Sequence, residues 1–398
     1  MRFYIVLLVL LSLILIMGYC EKYNLEKFAN SKKVNYSTDC GDVPELLGKV
    51  MSERNMSNNK EEYDYYIPCS YNSCEKDVLA FENKEKGKKI FLIDGCDWIA
   101  SKLALWELLV EHHGNKASNF MPATHLLENE KDLKNFPKHF AQNKAKRPDQ
   151  MYVLKNYAQR QEGIKLTRDL DEIMGGLKNG WYLVQDYVYN PFIIANRKIN
   201  FRYYLLVVCR KGRIEGYIHK DGFLYYTPKH YDPNNMEFDR HITTGYIDRK
   251  VYELNPLTLQ DFRDYLDCSN RVESDDNNKW KCLFDKKSGL SKKWDISAEK
   301  LMNNVMEAIS KKICKNKKLD NHVRFQLFGC DLAPDANLGC TLMEINKGPD
   351  LNTKDERDKQ IKLQVQKDIF KIVDPDEDID VLEDLEKNVE NTRFVKIY

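Results

Sequence analysis

The chain has 398 residues, of which 31% are charged and 42% hydrophobic, and its formal net charge is +1. This length accommodates more than one domain with a substantial core, and the composition is typical of a globular protein. A net charge so close to zero argues against a strongly basic nucleic-acid-binding protein, so we expect no nucleic-acid partner.

The first twenty residues predict a signal peptide or a membrane anchor rather than part of the fold. Arg2 precedes an apolar run over residues 3–17, and the small residues Gly18 and Cys20 precede a possible cleavage point at Glu21. The run is short for a bilayer span, but an uncleaved anchor stays open. We expect the rest of the chain to be lumenal or extracellular, with a cytosol-facing anchor as the alternative. Membrane contact is expected only through this segment.

Two glycosylation acceptor sequences and several cysteines agree with a secretory location. Asn35-Tyr-Ser and Asn55-Met-Ser are acceptor triplets, and we expect Asn35 to carry a glycan. At least one disulfide is expected among three cysteines of the polar N-terminal stretch, because such bridges form in oxidising compartments. These three are Cys40, Cys69 and Cys74. Three others lie in apolar segments and predict buried thiols, namely Cys209, Cys330 and Cys340.

The first half of the chain carries a short series of predicted elements. Residues 21–88 are polar and show no clear pattern. Residues 89–94 predict a strand, and 98–109 predict a core-facing helix because apolar residues recur at helical spacing. A charged helix and linker are expected over residues 131–147. Three further apolar segments predict strands, at residues 151–155, 181–188 and 203–208.

Charged side chains lie immediately before the last of these strands. Lys198, Asn200 and Arg202 are spaced at i, i+2 and i+4, so a strand places them on one face. A solvated strand face is the alternative for this pattern. Farther along, residues 253–293 are polar and predict a surface insertion, and residues 296–313 predict an amphipathic helix.

The clearest pattern is a hairpin between residues 323 and 346. Two apolar segments, 323–332 and 340–346, flank a loop that contains Pro, Asp, Asn and Gly. Alternation puts Asp331 on one face of the first strand, and Glu344 with Asn346 on one face of the second. Two carboxylates and an amide suit Mg²⁺, which takes its other ligands from water and substrate phosphates. Acids that face solvent are the alternative.

The hairpin also carries a family resemblance. FQLFGCDL, followed after seven residues by TLMEINKGPDL, resembles the end of the catalytic domain in tubulin-tyrosine ligase-like proteins, a branch of the ATP-grasp ligases. The resemblance covers roughly residues 89–373. It implies an α+β ATP-grasp fold with a small N-terminal α/β domain, ATP clamped between antiparallel sheets, and a C-terminal closing helix.

We therefore divide the chain into six expected parts. They are a signal peptide or membrane anchor (1–20), a polar N-terminal segment (21–88), the N-terminal α/β domain (89–148), the ATP-grasp catalytic domain (149–351), the closing helix (352–373) and an acidic tail (374–398).

The resemblance assigns roles to residues on the hairpin and on the charged strand. Asp331, Glu344 and Asn346 match the family's Mg²⁺ ligands. Lys198 and Arg202 match the cations of an Arg-Lys-Phe-Asp-x-Arg pattern that serves the nucleotide and its terminal phosphate. These two cations are the candidate catalytic residues.

Further matches concern the nucleotide ATP. Lys155 matches a phosphate-binding lysine at a strand end, and an ammonium group neutralises phosphate oxygens. Gln185 and Tyr187 match a segment whose backbone pairs with adenine. His241 and Thr243 match the family's His-Leu-Thr-Asn motif.

Five positions depart from the family pattern. They are Gln161 in place of Gly, Asp186 in place of Lys, Asn200 in place of Asp, Tyr225 in place of Arg and Thr244 in place of Asn. The loss of an arginine near the terminal phosphate is the most serious departure, because contacts of this kind are each worth about 3–4 kcal/mol of barrier.

The resemblance implies an ATP- and Mg²⁺-dependent ligase that joins a free amino acid to an acidic protein or peptide acceptor through an acylphosphate. Two alternatives stay open: a nucleotide-binding or degenerate relative without ligase activity, and a lumenal structural domain that binds no nucleotide. The family's acceptor, tubulin, is cytosolic, so a lumenal chain would need another acidic protein. The identity of the donor amino acid is left open.

Overall fold

A computed structural model describes residues 34–38, 43–68, 75–156, 163–244, 247–268, 271–273, 280–282, 289–374 and 389–398. The predicted signal or anchor segment, the cysteines Cys40, Cys69 and Cys74, and Gln161 lie outside these residues. Across the described ranges, no helix combines the length and the apolar character needed to cross a bilayer.

The strands are β1 (Val34–Thr38), β2 (Met56–Asn58), β3 (Tyr65–Ile67), β4 (Lys89–Ile90), β5 (Thr124–Leu126), β6 (Tyr152–Lys155), β7 (Ile164–Thr167), β8 (Leu183–Asp186), β9 (Ile193–Ile194), β10 (Arg197–Arg210), β11 (Arg213–His219), β12 (Phe223–Tyr226), β13 (Arg271–Glu273), β14 (Trp280–Cys282), β15 (Val323–Pro334), β16 (Cys340–Asn346) and β17 (Phe394–Lys396).

The helices are α1 (Glu45–Glu53), α2 (Glu75–Leu79), α3 (Cys96–Ala100), α4 (Lys102–His113), α5 (Glu130–Lys146), α6 (Leu170–Met174), α7 (Val251–Leu254), α8 (Leu259–Asp267), α9 (Leu290–Ile309) and α10 (Glu356–Val373).

One large mixed sheet forms the centre of the molecule. It has 11 strands, with the order β17-β11-β10-β15-β4-β3-β1-β2, and β9 and β12 also pair with β10 while β16 pairs with β15. The middle of β10 and of β15 is buried almost without interruption. These strands are apolar throughout because both of their faces are covered. The predicted hairpin is therefore confirmed, and its first strand lies at the centre of the core.

The polar N-terminal segment contributes to the same sheet. β1, β2 and β3 run parallel to one another, and β3 joins β4, which in turn pairs in parallel with β15. Strands of three to five residues are too short to show an alternation, so sequence patterns gave no sign of them.

The predicted helix over residues 98–109 is interrupted at Ser101, so α3 and α4 are separate helices. Ser101 has an extended backbone (φ −80°, ψ 121°), and its hydroxyl accepts a hydrogen bond from the Ala104 N–H at 3.3 Å. A serine in this position caps a helix instead of continuing one. The apolar spacing was interpreted correctly, but the cap within it was overlooked.

The predicted surface insertion at residues 253–293 was wrong in one part. α8 buries Leu259, Phe262 and Leu266 in the core. Thr258 and Asp261 form a capping box at its start, which stabilises the helix without a long apolar pattern. α9 packs beside it and buries Trp294, whose indole N–H donates to the Tyr203 hydroxyl at 2.8 Å.

A second, smaller sheet stands beside the first. It has the order β5-β8-β6-β7 with antiparallel pairs, and α5 covers one of its faces through Phe136 and Phe140. The opposite face approaches β10, because the Lys198 ammonium lies 3.4 Å from the Tyr187 hydroxyl just after β8. The result is a mixed α+β fold, and the predicted class is confirmed at this level.

Candidate functional site

The three predicted metal ligands lie together on the hairpin. Asp331 and Glu344 are direct partners across β15 and β16, and Gly329 faces Asn346. The Asn346 amide donates to Glu344 Oε1 at 3.1 Å. Two carboxylates and a carboxamide on one hairpin are the oxygen donors that Mg²⁺ prefers, so these residues fit the ion that the sequence predicts.

Cations balance both carboxylates. Arg202 is the register partner of Asp331, and its guanidinium makes two bonds to it, at 2.5 and 3.2 Å. Lys102 reaches Glu344 Oε2 at 3.4 Å. Burial opposes the ionisation of Glu344, but Lys102, Lys155 and the Asn346 amide outweigh it, so the pKa of Glu344 lies below its usual range. Burial raises the pKa of Asp331, although Arg202 partly offsets this.

Lys102 is a site residue that sequence reasoning did not identify. It is the first residue of α4, immediately after the capping residue Ser101. A lysine is unfavourable at the N-terminal end of a helix, which is the positive end of the helix dipole. This unusual position was the signal in the sequence that Lys102 has an acidic partner elsewhere. Glu344 is that partner, some 240 residues along the chain, and no local pattern relates the two.

The small sheet supplies the opposite side of the site. The Lys155 ammonium donates to Gln185 Oε1 at 2.7 Å, and the Gln185 amide donates to the Thr124 hydroxyl at 2.9 Å. All three side chains are buried. Lys155 and Gln185 belong to the neighbouring strands β6 and β8, whose register brings them to the same face.

A second group of contacts joins this side to β10. His241 Nε2 faces the Asn235 carbonyl oxygen, so that nitrogen carries the proton and Nδ1 accepts from the Tyr187 hydroxyl at 2.9 Å. The Tyr187 oxygen also accepts from Lys198, whose ammonium lies 4.6 Å from the centre of the tyrosine ring. The structure thus brings Lys198, Tyr187 and His241 together, and Thr243 lies two residues beyond.

Both buried lysines have lowered pKa values. Burial is the main cause for Lys155, with repulsion from Lys102 added and attraction to Glu344 opposing, and the pKa falls to about 8. Burial and repulsion from Lys155 lower the pKa of Lys198 to about 8 as well. Their hydrogen-bond partners are the neutral groups of Gln185 and Tyr187, so charge on either lysine is costly until an anion arrives.

We call Lys155, Gln185, Tyr187 and Lys198 the lysine wall, and Arg202, Asp331, Glu344 and Asn346 the hairpin wall. The two walls meet along β10, where Lys198, Asn200 and Arg202 share a strand as predicted. Asn200 Oδ1 is buried and has no hydrogen-bond partner among the described residues. A buried carbonyl oxygen without a donor is costly, which marks this point as a place for a ligand donor.

The positions that depart from the family pattern differ in their distance from the candidate site. Asp186 follows Gln185 on β8 and therefore points to the other face of the small sheet. There it accepts from His139 at 2.8 Å and from Asn143 at 3.0 Å, both on α5. Asp186 thus lies on the opposite face of the small sheet from Lys155 and Gln185.

Tyr225, in contrast, is inside the site. It pairs with Asn200 between β10 and β12, and the Arg202 guanidinium lies 5.5 Å from its ring centre. Burial raises the pKa of its hydroxyl, which keeps the group neutral. Thr244 is buried and its N–H donates to the Tyr226 carbonyl at 3.1 Å, so it is fixed by backbone pairing.

One cysteine prediction was wrong. Cys209, predicted as a buried thiol at the end of β10, forms a disulfide with Cys314, with 6.3 Å between the Cα atoms. Cys268 is also disulfide-bonded. Cys330 is a buried thiol as predicted, and Cys340 is a half-buried thiol. The partner of Cys209 follows α9 in the chain, and pairing over 105 residues cannot be inferred from local sequence.

Comparison with known proteins agrees with this geometry. The model of the "Tubulin-tyrosine ligase family" matches residues 66–381, most of the chain. The chain is 25% identical over 273 residues to "Probable tubulin polyglutamylase ttll-9" of Caenorhabditis elegans, which covers 64% of this chain and 58% of the relative. It is 24% identical over 237 residues to "Tubulin glycylase 3B" of Drosophila melanogaster, covering 56% of this chain and 29% of the relative.

A third relative carries a different description. The chain is 30% identical over 181 residues to "Inactive polyglycylase TTLL10" of Homo sapiens, which covers 45% of this chain and 25% of the relative. The chain thus spans between 25% and 58% of the length of these three proteins.

Proposed function

Because the chain belongs to the tubulin-tyrosine ligase family, we propose that it is an ATP- and Mg²⁺-dependent ligase that adds a free amino acid to an acidic protein acceptor. One observation carries the proposal: Lys102 and Arg202 contact the hairpin carboxylates, Lys155 is attracted to Glu344, and Lys198 lies next to Lys155. Four cations, two of them buried, beside an oxygen donor set suit a polyanion bound together with a metal ion. The finer fold is proposed to be an ATP-grasp clamp, with the two walls on opposite sides of ATP.

The reaction proceeds in two steps. An oxygen of the acceptor carboxylate attacks the γ-phosphorus of ATP, the bond to the β-phosphate oxygen breaks, and ADP leaves. The amine nitrogen of the amino acid then attacks the carbonyl carbon of the acylphosphate. Phosphate leaves with the C–O bonding electrons, the nitrogen loses a proton, and an amide bond remains.

Each wall has a part in the first step. Lys155 and Lys198 bind phosphate oxygens, and Gln185 and Tyr187 orient the two lysines. Arg202 offsets the charge that redistributes as the phosphoryl group transfers. Asp331, Glu344 and Asn346 would hold Mg²⁺, which would neutralise phosphate charge. Asn200 Oδ1, which has no donor in the described part of the chain, is available to a hydroxyl or amine of the ligands.

The test is ADP release from the full chain in the presence of ATP, Mg²⁺, a glutamate-rich peptide and a panel of single amino acids. Glu344→Gln keeps the size of the side chain but removes a ligand charge, so we expect turnover to fall by at least a thousandfold. Glu107→Gln, an exposed acid on the same helix as Lys102, is the matched control and should be unaffected. If Glu344→Gln turns over normally, the metal assignment is wrong.

A second candidate function is nucleotide binding without ligation. Tyr225 inside the site favours it, because the family places an arginine there, and one relative is described as inactive. Calorimetry with ATP and Mg²⁺ separates the cases: binding without ADP release on any donor indicates the degenerate relative. No binding at all indicates a structural domain.

We also propose a lumenal or extracellular location, which makes an acidic protein of the secretory route the acceptor in place of cytosolic tubulin. The disulfides at Cys209–Cys314 and at Cys268 support it, because such bridges are rare in reducing compartments. Protease protection of the expressed chain in intact vesicles tests the location. Full digestion without detergent would favour the cytosol-facing anchor.

A further inference from the structure

The two glycosylation acceptor sequences occupy adjacent strands but differ in their surroundings. Asn35 lies on β1, which has β2 on one side and β3 on the other. Its neighbours across these pairs are Ser57 and Asp64, and its N–H donates to Asp64 Oδ2 at 3.1 Å. The residue is half-buried inside a sheet, so a glycan on it would have to pass over the flanking strands.

Asn55 has the opposite setting. It follows α1, is exposed, and adopts a left-handed backbone conformation with φ 54° at the turn into β2. Asparagine is favoured in this conformation at the end of a helix. Its N–H donates to the Ser52 carbonyl at 3.0 Å, which fixes the backbone while the side chain projects into solvent. A turn of this kind accommodates a bulky, hydrated substituent without disturbing the core.

The turn also lies far from the proposed site. β2 is the last strand of the large sheet, and β1, β3 and β4 separate it from β15. Four spacings of about 4.8 Å place β2 roughly 19 Å from the strand that carries Asp331. A substituent at Asn55 would therefore leave access for ATP and the acceptor.

We infer that Asn55, and not Asn35, is an N-linked glycosylation site of this protein. The inference depends on the proposed lumenal location, for which the Cys209–Cys314 disulfide is an independent observation. It replaces the sequence-based expectation for Asn35, because the fold distinguishes two triplets that are equivalent in sequence.

The test compares variants that remove each acceptor triplet through its serine, leaving both asparagines in place. Ser57→Ala removes the Asn55 triplet and Ser37→Ala removes the Asn35 triplet. The full chain, with its own N-terminal segment, is expressed in animal cells and treated with a peptide:N-glycosidase. We expect wild type and Ser37→Ala to show a one-glycan change in mobility, and Ser57→Ala to show none. Asn55→Asp, which tolerates the left-handed turn, is a second variant in case Ser57→Ala does not fold.

The outcomes separate this inference from the proposals on which it rests. A mobility change that Ser37→Ala abolishes, or a two-glycan change in wild type, overturns the choice of Asn55. No change in a chain that is protease-protected and yields the Cys209–Cys314 cross-linked peptide overturns the glycan but keeps the location. No change in a reduced, protease-accessible chain overturns both. ADP release by the purified chain reports on the ligase independently of all three results.

Discussion

The lysine wall and the hairpin wall face one site but balance their charges differently. On the hairpin wall each carboxylate has a cation, since Arg202 binds Asp331 and Lys102 reaches Glu344. On the lysine wall the ammonium groups donate to neutral partners, the Gln185 amide and the Tyr187 hydroxyl. The first arrangement is close to neutral. In the second, neither ammonium donates to a carboxylate of the described residues, and only Lys155 is attracted to one, Glu344.

The difference in charge balance indicates which kind of ligand each wall can bind. Buried charges without an ionic partner cost stability, and such costs concentrate at functional sites. A polyanion would supply the missing charge on the lysine wall. A divalent cation would compete with Arg202 and Lys102 for the carboxylates of the hairpin wall. A polyanion on the lysine wall and a divalent cation on the hairpin wall have opposite charges and can bind together, as ATP and Mg²⁺ do in the proposed reaction.

After the charge-removing Glu344→Gln, the largest effect is expected from a change on the hairpin wall that keeps its charge. Arg202→Lys replaces a two-point contact to Asp331 by a single one, and lysine does not reproduce the planar geometry of a guanidinium. We expect turnover to fall by about 10²–10³-fold, the usual effect of losing one contact to a transition-state oxyanion. ATP affinity should change by less than about threefold, since the lysine wall is intact. Steady-state kinetics and calorimetry together measure both.

Arg210→Lys is the matched control for this variant. Arg210 lies on the same strand and binds Glu215 at 3.0 Å and the Ile372 carbonyl at 3.1 Å, at the opposite end from the site. Its turnover should stay near that of wild type. Equal losses of turnover in the two variants would show that both changes destabilise β10. A loss of ATP affinity in Arg202→Lys would show that Arg202 binds ATP as the lysine wall does.

The same comparison shows what sequence could predict. Strand periodicity was enough to place Lys198 with Arg202 and to place Glu344 with Asn346, because each set lies within one strand. Lys102 was missed, since its partner is far away in the chain and it lies at the break between α3 and α4, which the sequence did not predict. Asp186 illustrates a related point: a family pattern gives positions along the chain, but the alternation of β8 decides which of them share a face with Lys155.

An intermediate effect concerns pH and the lysine wall. Lys198 has a pKa of about 8 in the folded protein and about 10.4 when unfolded, and phosphate binding requires its charged form. Raising the pH from 7.5 to 9 should therefore weaken ATP binding about tenfold through Lys198 alone, because a tenth or less of the lysine stays protonated one unit above its pKa. Lys155, whose pKa is also about 8, should add to this loss. Isothermal titration at the two pH values gives the ratio. Lys198→Arg, charged throughout this range, should show a smaller pH dependence.

The sign of the stability change provides a second check on the same group. The unfolded chain binds a proton at Lys198 up to a higher pH than the folded chain does, so the contribution of Lys198 to stability without ligand should rise with pH between about 8 and 10. ATP should reverse the trend by restoring the proton. Buried thiols such as Cys330, whose pKa burial raises, titrate in the same window with the opposite sign, so the check compares wild type with Lys198→Met. A stability difference between the two proteins that does not change across this window would contradict the burial of Lys198.

The smallest effect is expected from Asp186, which a family pattern alone would place among the damaging departures. Asp186→Asn keeps its size and removes the charge that His139 and Asn143 contact on the α5 side of the small sheet. These groups are partly exposed, so we expect a loss of about 1 kcal/mol in the free energy of unfolding and ATP affinity within twofold of wild type.

The adjacent change Gln185→Met, on the other face of β8, removes the partner of Lys155 and should weaken ATP binding about tenfold. Calorimetry and urea unfolding of both variants measure these quantities. Comparable losses of ATP affinity in the two variants would contradict the assignment of Gln185 to the ATP-binding face of β8 and of Asp186 to the face that contacts α5.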